Sequence, residues 1–103
     1  MALKPADLHI LLALTQSPRH GYGLMRDVEN ESSGEVRLEL GSLYRLLARL
    51  LDEGLIQAAG SDERRRTYSL TPLGRKALKN EAQRLADLMK LMRTRKLLKE
   101  AQS

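Results

Sequence analysis

The segment from residue 40 to residue 53 constrains the fold of this 103-residue chain more than any other feature. Leucine recurs there at intervals of three and four residues, which places the side chains on one face of an α-helix. The leucines concerned are Leu43, Leu46, Leu47, Leu50 and Leu51. Ser42, Arg45 and Arg49 lie on the opposite face, and Gly54 follows where helices often end in the left-handed conformation. The pattern predicts an amphipathic helix over residues 40–53.

Three other segments also have helical character. Residues 5–15 are largely apolar and begin with proline, which suits the first position of a helix. Residues 21–30 carry apolar side chains at helical spacing and are predicted to form a short amphipathic helix. Thr71 followed by Pro72 is a typical helix start. Because no proline or glycine occurs after Gly74, this last helix is predicted to continue to about residue 99.

A β-hairpin is predicted between the third and fourth helices, with strands over residues 55–59 and 67–70 and a turn over residues 60–63. Residues 36–38 are a further candidate for a short strand. The order helix, helix, helix, hairpin, helix is that of a winged helix-turn-helix, in which the third helix reads DNA and the hairpin is the wing. We therefore expect a mainly α fold with a small β-hairpin. Residues 1–72 are the predicted winged helix-turn-helix and residues 73–103 the long C-terminal dimerisation helix, packed as one compact unit.

Composition excludes several classes of protein. Lys and Arg outnumber Asp and Glu by 18 to 13, and the formal net charge of +5 suits a polyanionic partner or an acidic membrane surface. The chain has no cysteine, so it has no disulfide, no thiolate metal site and no cysteine nucleophile. No apolar stretch approaches the roughly 20 residues that span a membrane. We therefore expect a cytoplasmic protein.

The polar residues form no recognisable catalytic or metal-binding pattern. His9 stands alone in an apolar helix, and His20 is a candidate to cap the second helix or to touch a phosphate. Neither histidine has companion His, Asp or Glu residues at the spacing of metal ligands. We see no nucleophile paired with a base and no glycine-rich phosphate loop. We therefore expect neither an enzyme nor a bound cofactor.

The third helix carries the residues expected to read DNA. Side chains near the exposed amino-terminal half of such a helix reach base edges in the major groove, and here these are Ser42, Arg45 and Arg49. Arginine commonly pairs with guanine, and serine can bond a base or a phosphate. The alternative is that both arginines are solvated charges on an ordinary amphipathic helix. The short helix before them and the basic hairpin after them favour DNA binding.

The predicted hairpin carries Arg64, Arg65 and Arg66 at its tip and outgoing arm. Alternation along the strand is expected to aim at least one of them at the DNA backbone or into the minor groove. The alternative is a solubilising turn in which Asp62 and Glu63 pair with these arginines. Three consecutive arginines exceed what solubility requires.

Tyrosines near the predicted reading helix are further candidates for phosphate contacts. Tyr22 and Tyr44 could pack their rings and leave their hydroxyl groups free to donate to phosphate. Half-buried core positions explain these two tyrosines equally well. Tyr68, on the wing, is expected to pack against the third helix.

The last helix has an apolar face too wide for a single solvated helix. The residues predicted to mediate dimerisation are Leu85, Leu88, Met89, Leu91 and Met92. Pairing with the same helix of a second subunit would bury this face and set two reading helices about 34 Å apart, the spacing of successive major grooves. Packing against the chain's own first helix is an alternative that is compatible with pairing. The absence of Trp and Phe disfavours binding to a membrane surface.

Four short motifs follow one another along the chain. They are the leucine-rich Leu11-Leu12-Ala13-Leu14, then His20-Gly21-Tyr22-Gly23-Leu24, then Gly41-Ser42-Leu43-Tyr44 leading to Gly54-Leu55-Ile56, and finally Arg66-Thr67-Tyr68-Ser69-Leu70-Thr71-Pro72-Leu73-Gly74. In this order they resemble the PadR family of transcriptional regulators over residues 8–78, in its short branch with a single C-terminal helix. The resemblance implies a homodimeric repressor on a roughly palindromic operator. Ser42 and Tyr44 would then lie in the major groove and the wing on the flanking groove.

The resemblance also implies that a small hydrophobic effector is possible, because some relatives respond to phenolic or other flat hydrophobic compounds. Relatives that hold flat aromatic drugs at the dimer interface do so with tryptophan, which this chain lacks. Two other functions stay open from the sequence. One is a winged helix that serves as a protein-interaction module, and the other is an architectural DNA binder without sequence preference.

Overall fold

The computed structural model describes residues 3–62 and 65–99. Within this part of the chain there are four helices and three strands. In chain order these are α1 (Pro5–Ala13), β1 (Arg19–His20), α2 (Gly21–Glu31), α3 (Leu40–Asp52), β2 (Ile56–Asp62), β3 (Arg65–Leu70) and α4 (Pro72–Thr94). The protein is mainly helical with a small antiparallel sheet, which confirms the predicted fold class.

The sheet has a strand that the sequence pattern did not indicate. β1 pairs antiparallel with β3, so that Arg19 lies opposite Tyr68 and His20 opposite Thr67, and the strand order is β1, β3, β2. A strand of two residues is too short to show the alternation by which strands are recognised in a sequence. β1 nevertheless fixes the amino end of α2 beside the hairpin.

The predicted strand over residues 36–38 is wrong, since these residues form an irregular connection between α2 and α3. The backbone N–H of Val36 donates to the hydroxyl of Ser32 at 2.9 Å, which satisfies it without a neighbouring strand. Val36 and Leu38 pack partly buried against the core. Their apolar character therefore reflects core packing, while β1 occupies the edge of β3.

β2 and β3 form the wing. β2 continues through Gly60 and Ser61 to Asp62, so most of the predicted turn belongs to the strand. The register shifts between Ala58 and Gly60, which marks a β-bulge. The connection at residues 63 and 64 lies outside the described residues.

α3 forms where the leucine spacing predicted it. Leu43, Leu47 and Leu50 are buried. After the helix, Gly54 adopts a positive φ of 77°, and the N–H of Leu55 donates back to the carbonyl of Leu50 at 3.0 Å. This arrangement satisfies a carbonyl of the last turn and is the glycine-terminated ending that the sequence predicted.

α4 begins where the sequence predicted. The Thr71 hydroxyl accepts a hydrogen bond from the N–H of Gly74 at 3.0 Å and donates to the carbonyl of Gly54 at 2.6 Å. A Cβ on Gly74 would lie 2.0 Å from the carbonyl oxygen of Leu55. Only glycine therefore allows the first turn of α4 to press this closely on the segment that enters β2.

α4 ends at Thr94, about five residues before the predicted end. Lys96 adopts a left-handed φ of 64°, and the N–H of Leu97 donates to the carbonyl of Met92 at 2.8 Å. The ending has the same hydrogen-bond pattern as that of α3 but with lysine in the position that usually holds glycine. The sequence therefore gave no signal of it.

The core lies where α1, α2 and α3 meet the sheet and the start of α4. Its buried residues are Ile10, Leu11, Ala13, Leu14, Leu24, Val28, Leu43, Leu47, Leu50, Leu55, Ile56, Tyr68 and Leu78. Tyr68 of the wing is thus buried together with the leucines of α3. Two acidic side chains, Asp7 and Glu81, are buried at the margin of this core.

Candidate nucleic-acid interface

The amino-terminal half of α3 presents polar groups to solvent. Arg45 is exposed, and its guanidinium donates to the hydroxyl of Ser42 at 3.2 Å. The guanidinium lies next to Gly41, since a Cβ there would be in van der Waals contact with Nη1 of Arg45 at 3.6 Å. No side chain caps the amino end of α3 at Glu39, so the helix also presents free backbone N–H groups and a partial positive charge at this end.

Neither predicted tyrosine at this site belongs to the core. Tyr22 is 60% exposed at the start of α2, and Tyr44 is 49% exposed on α3. The ring of Tyr44 also lies against the amino end of α2, because a Cβ on Gly21 would be 3.4 Å from its Cε1 and hydroxyl oxygen. Both phenols are therefore accessible, and Tyr44 joins α3 to α2.

A second contact continues this surface to the wing. The ring nitrogen Nδ1 of His20 lies 3.2 Å from the hydroxyl of Thr67 in β3. His20 occupies the N-cap position of α2, but its side chain does not cap the helix. The contacts of Tyr44 with Gly21 and of His20 with Thr67 therefore connect the amino ends of α3 and α2 to the middle of β3.

The arginines of the wing lie next to Thr67 in the sequence. Arg66 precedes Thr67 and is exposed, opposite Ser61 in the hairpin. Arg65 lies in β3 opposite Asp62. Arg64, which was predicted to contact DNA, lies outside the described residues together with Glu63.

Cationic groups that the sequence patterns did not single out flank the same surface. Arg26 on α2 is exposed and, with Arg19, His20 and Tyr22, lines a cleft of about 460 Å³ between α2 and β3. Arg19 itself is paired with Asp27 at 2.7 Å. Arg26 follows Tyr22 by one helical turn. Only the exposure of Tyr22 could have indicated that Arg26 flanks this surface.

Arg49, by contrast, is engaged within its own subunit. Its guanidinium forms ion pairs with Asp7 of α1 and, at 3.0 Å, with Glu53. The hydrogen bonds that Arg49 donates to Glu53 first and then to Asp7 raise the pKa of Arg49, against the opposing effect of its partial burial. Asp7 is only 4% exposed, so this arginine neutralises a buried carboxylate and holds α3 against α1.

The predicted dimerisation residues form an exposed apolar strip along α4. Leu88, Met89 and Leu91 are exposed, and Leu85 and Met92 are partly exposed. The strip continues into an apolar groove of about 280 Å³ between α1 and α4. The groove is lined mainly by apolar side chains, among them Leu8, Leu12, Leu78, Ala82 and Leu85.

A buried carboxylate lies next to this strip. Glu81 of α4 accepts hydrogen bonds from the backbone N–H of Leu3 at 3.2 Å and from Arg84 at 3.1 Å. The hydrogen bond from Arg84 is the main cause that lowers the pKa of Glu81 below its ordinary value. The interaction fastens the segment before α1 to α4.

The described residues form neither a metal site nor a membrane-spanning helix. No three His, Asp or Glu side chains in residues 3–62 and 65–99 come together as a metal site requires. None of the helices described combines the length and the apolar character needed to cross a membrane.

Comparisons with known proteins agree with this architecture. The sequence profile of the transcriptional regulator PadR-like family matches residues 10–80. An uncharacterised 37.1 kDa protein in transposon TN4556 of Streptomyces fradiae is 39% identical over 88 residues, which are 85% of this chain and 25% of that protein. The chain thus spans only a quarter of the length of this relative.

Solved structures share the fold. A PadR family transcription regulator from Clostridium difficile R20291 superposes with a TM-score of 0.75 and 25% identity, covering 88% of this chain and 97% of its own. Bacillus subtilis PadR in complex with operator DNA matches with a TM-score of 0.65 and 23% identity, over 75% of this chain and 46% of its own, a similarity of fold alone. Because the family profile covers more than half of its residues, the chain belongs to the PadR-like family of transcriptional regulators.

Proposed function

We propose that this chain is a sequence-specific DNA-binding regulator that acts in the cytoplasm as a homodimeric repressor on a roughly palindromic operator. The continuous surface from Arg45 through Tyr44 and Gly21 to His20, Thr67 and Arg66 supports the proposal most strongly. A winged helix needs this continuity, because its reading helix and its wing must meet one duplex together.

The residues of this surface take different roles in the proposal. Arg45 and Ser42 contact base edges in the major groove, since both lie on the exposed amino-terminal half of α3. Tyr22, Tyr44 and Arg66 contact phosphates, and the wing arginines Arg64 and Arg65 are assigned to the DNA backbone from the sequence alone. Arg49 acts indirectly, because its ion pairs with Asp7 and Glu53 fix the position of α3.

The apolar strip on α4 supports the homodimer. Exposed leucine and methionine side chains over residues 85–92, continuous with an apolar groove against α1, form a surface that a second copy can bury. A two-fold axis through such an interface places two reading helices on successive major grooves about 34 Å apart. A small hydrophobic effector, if it acts, is revealed by loss of operator affinity when a phenolic compound is added.

The proposal is tested by footprinting on the DNA upstream of the chain's own gene at two salt concentrations. Arg45→Ala should cost about 1–3 kcal/mol of binding free energy and relax the preference at one base position. Arg66→Ala should weaken binding to all sequences and reduce the slope of log affinity against log salt by about 0.9 per lost phosphate contact. Lys76→Ala, an exposed charge at the start of α4, is the matched control and should change neither quantity.

The outcomes separate the alternatives. Operator affinity that is indifferent to both arginine changes contradicts the groove assignment. Equal affinity for operator and random DNA indicates an architectural binder, and a stable hetero-complex without salt-sensitive DNA binding indicates a protein-interaction module. Increased transcription from the footprinted promoter in the presence of the protein contradicts the repressor assignment.

A further inference from the structure

An apolar side chain stands at the amino end of α3 among polar groups. Leu40 is the first residue of the helix and is 52% exposed. Neither the buried core nor the partly buried residues described around it include Leu40. The packing of the described residues therefore gives no reason for a leucine at this position.

The neighbours of Leu40 are the groups proposed to meet DNA. Tyr44 follows one turn later on the same side of α3, and a phenol ring is likewise exposed there. Arg45 is held over Gly41 by its hydrogen bond with Ser42. Leu40 is thus an exposed apolar side chain next to Ser42 and Arg45, the groups proposed to contact base edges.

The position of Leu40 on α3 indicates its partner. The exposed charges near it are of both signs, since Glu39 precedes it and Arg45 follows further along α3. Arg37 forms an exposed ion pair with Glu29 at 3.2 Å. The uncapped amino end of α3 adds partial positive charge. If α3 is the reading helix, as proposed, its amino end enters the major groove of DNA, and the apolar group available to a side chain there is the C5-methyl group of thymine.

We propose that Leu40 is a specificity-determining residue whose side chain contacts a thymine C5-methyl group in each half-site. This inference rests on the proposed function of α3 as the reading helix. Arg45 lies five residues further along, a rise of about 7.5 Å along the helix axis. For a helix lying along the groove, that distance spans about two base steps of ~3.4 Å, so we expect the thymine within about two base pairs of the base that Arg45 contacts.

The experiment replaces each thymine of the footprinted operator in turn by deoxyuridine, which lacks only the C5-methyl group. For the wild-type protein, one position in each half-site should weaken binding about fourfold, which corresponds to the ~0.8 kcal/mol of one buried methyl group. The Leu40→Ala variant should bind the thymine operator more weakly than the wild type does. It should bind the thymine and deoxyuridine operators with equal affinity. Leu73→Ala removes another exposed leucine, at the start of α4, and should preserve the difference between thymine and deoxyuridine.

Two results overturn the inference. If wild-type protein binds the operator but no deoxyuridine substitution near the Arg45 position weakens it, or if Leu40→Ala keeps the full thymine preference, Leu40 does not read a methyl group and the proposed function still stands. If the protein binds no operator DNA of either composition, the proposed function itself is contradicted.

Discussion

Asp7 and Arg49 form an ion pair that connects α1 to α3. Asp7 is buried near the start of α1, where its carboxylate also accepts from the N–H of Lys4 at 3.4 Å. Arg49 reaches it from the carboxyl-terminal half of α3 and keeps its second contact with Glu53. A buried carboxylate requires such a partner, because an uncompensated charge in the protein interior is costly.

Replacing Arg49 by alanine leaves the Asp7 carboxylate without this cation. We expect the free energy of unfolding to fall by about 1–2 kcal/mol, which is less than for a fully buried pair because solvent screens the partly exposed guanidinium. Asp7→Asn in the same chain should recover part of the loss. Urea unfolding measures each change, and Arg45→Ala on the same helix should cost less than about 0.5 kcal/mol. A loss in Arg49→Ala no larger than in this control would contradict the stabilising role.

Gly74 determines how closely α4 approaches the segment that enters β2. An added Cβ would meet the carbonyl oxygen of Leu55 at 2.0 Å and Cδ1 of Leu70 at 2.8 Å. We therefore expect Gly74→Ala to lower the free energy of unfolding by about 2–3 kcal/mol, since backbone must move to admit the methyl group.

The matched control for Gly74 is Gly23→Ala on α2. A Cβ at Gly23 would have its nearest contact at 3.7 Å, with Nη2 of Arg19. Alanine is the better helix former, so this variant should gain up to about 0.5 kcal/mol. The melting temperatures of the two variants should therefore shift in opposite directions. A shift in the same direction would show that the close approach of Leu55 to Gly74 does not determine the stability of the Gly74→Ala variant.

At the scale of elements, α4 is fastened to the amino-terminal segment through Glu81. Arg84 lowers the pKa of Glu81 in the folded protein, so folding favours the ionised carboxylate. The stabilisation is present above the ordinary glutamate pKa and is lost as the pH falls through the lowered folded value. The contribution of Glu81 to stability therefore decreases only as the pH becomes acidic.

Glu81→Gln should make stability less dependent on pH below the ordinary glutamate range. We expect the difference in unfolding free energy between wild type and Glu81→Gln to be largest near neutral pH and to shrink as the solution is acidified. Urea unfolding at a series of pH values between neutral and about pH 3 measures this difference. Arg84→Met removes the partner and should reduce the same acid dependence; an unchanged dependence in both variants would contradict the assignment.

The elements also show where sequence patterns fail. The leucine spacing and Gly54 predicted α3 and its end because both are local features of one helix. β1 was missed because its pairing with Thr67 and Tyr68 depends on residues almost fifty positions away. The early end of α4 was missed because Lys96 takes the left-handed conformation without glycine or proline to signal it.

At the scale of the whole molecule, the protein is elongated, with extents of 52 × 27 × 24 Å. α4, with 23 residues, is the longest element described and carries the exposed strip over residues 85–92. A chain of this size buries a smaller fraction of its surface on folding than a larger domain does. A second copy over the strip would add apolar burial that one subunit does not provide.

Leu88→Glu is expected to convert the proposed dimer into a monomer, because it would bury a carboxylate in the interface without a partner. Gln83→Glu makes the same change in charge on the opposite side of α4 and should leave the dimer intact. Sedimentation equilibrium measures the mass, and the melting temperature of the wild type should rise with protein concentration. A monomeric wild type, or a dimer that survives Leu88→Glu, would contradict the proposed interface.

The sequence could predict which residues are candidates for the site. It could not predict which of them lie together on one surface. Ser42, Arg45 and Tyr44 could be proposed as site residues because their helix has a strong period and one exposed side. Arg49 lies on that same exposed side by its spacing, and only the position of Asp7 on another helix shows that its guanidinium is engaged. The exposure of Leu40 was not predictable, because a sequence pattern assigns leucine to the core.

The sequence by itself determined the helices, the hairpin and the family, since helix period, turn residues and motif order are local properties of the chain. The tertiary structure decided which polar groups pair with one another, where the third strand lies and how α3, α2 and the wing meet. The physical reason is that burial, ion pairing and strand register depend on residues far apart in the sequence. Their energies are set only when the elements come into contact.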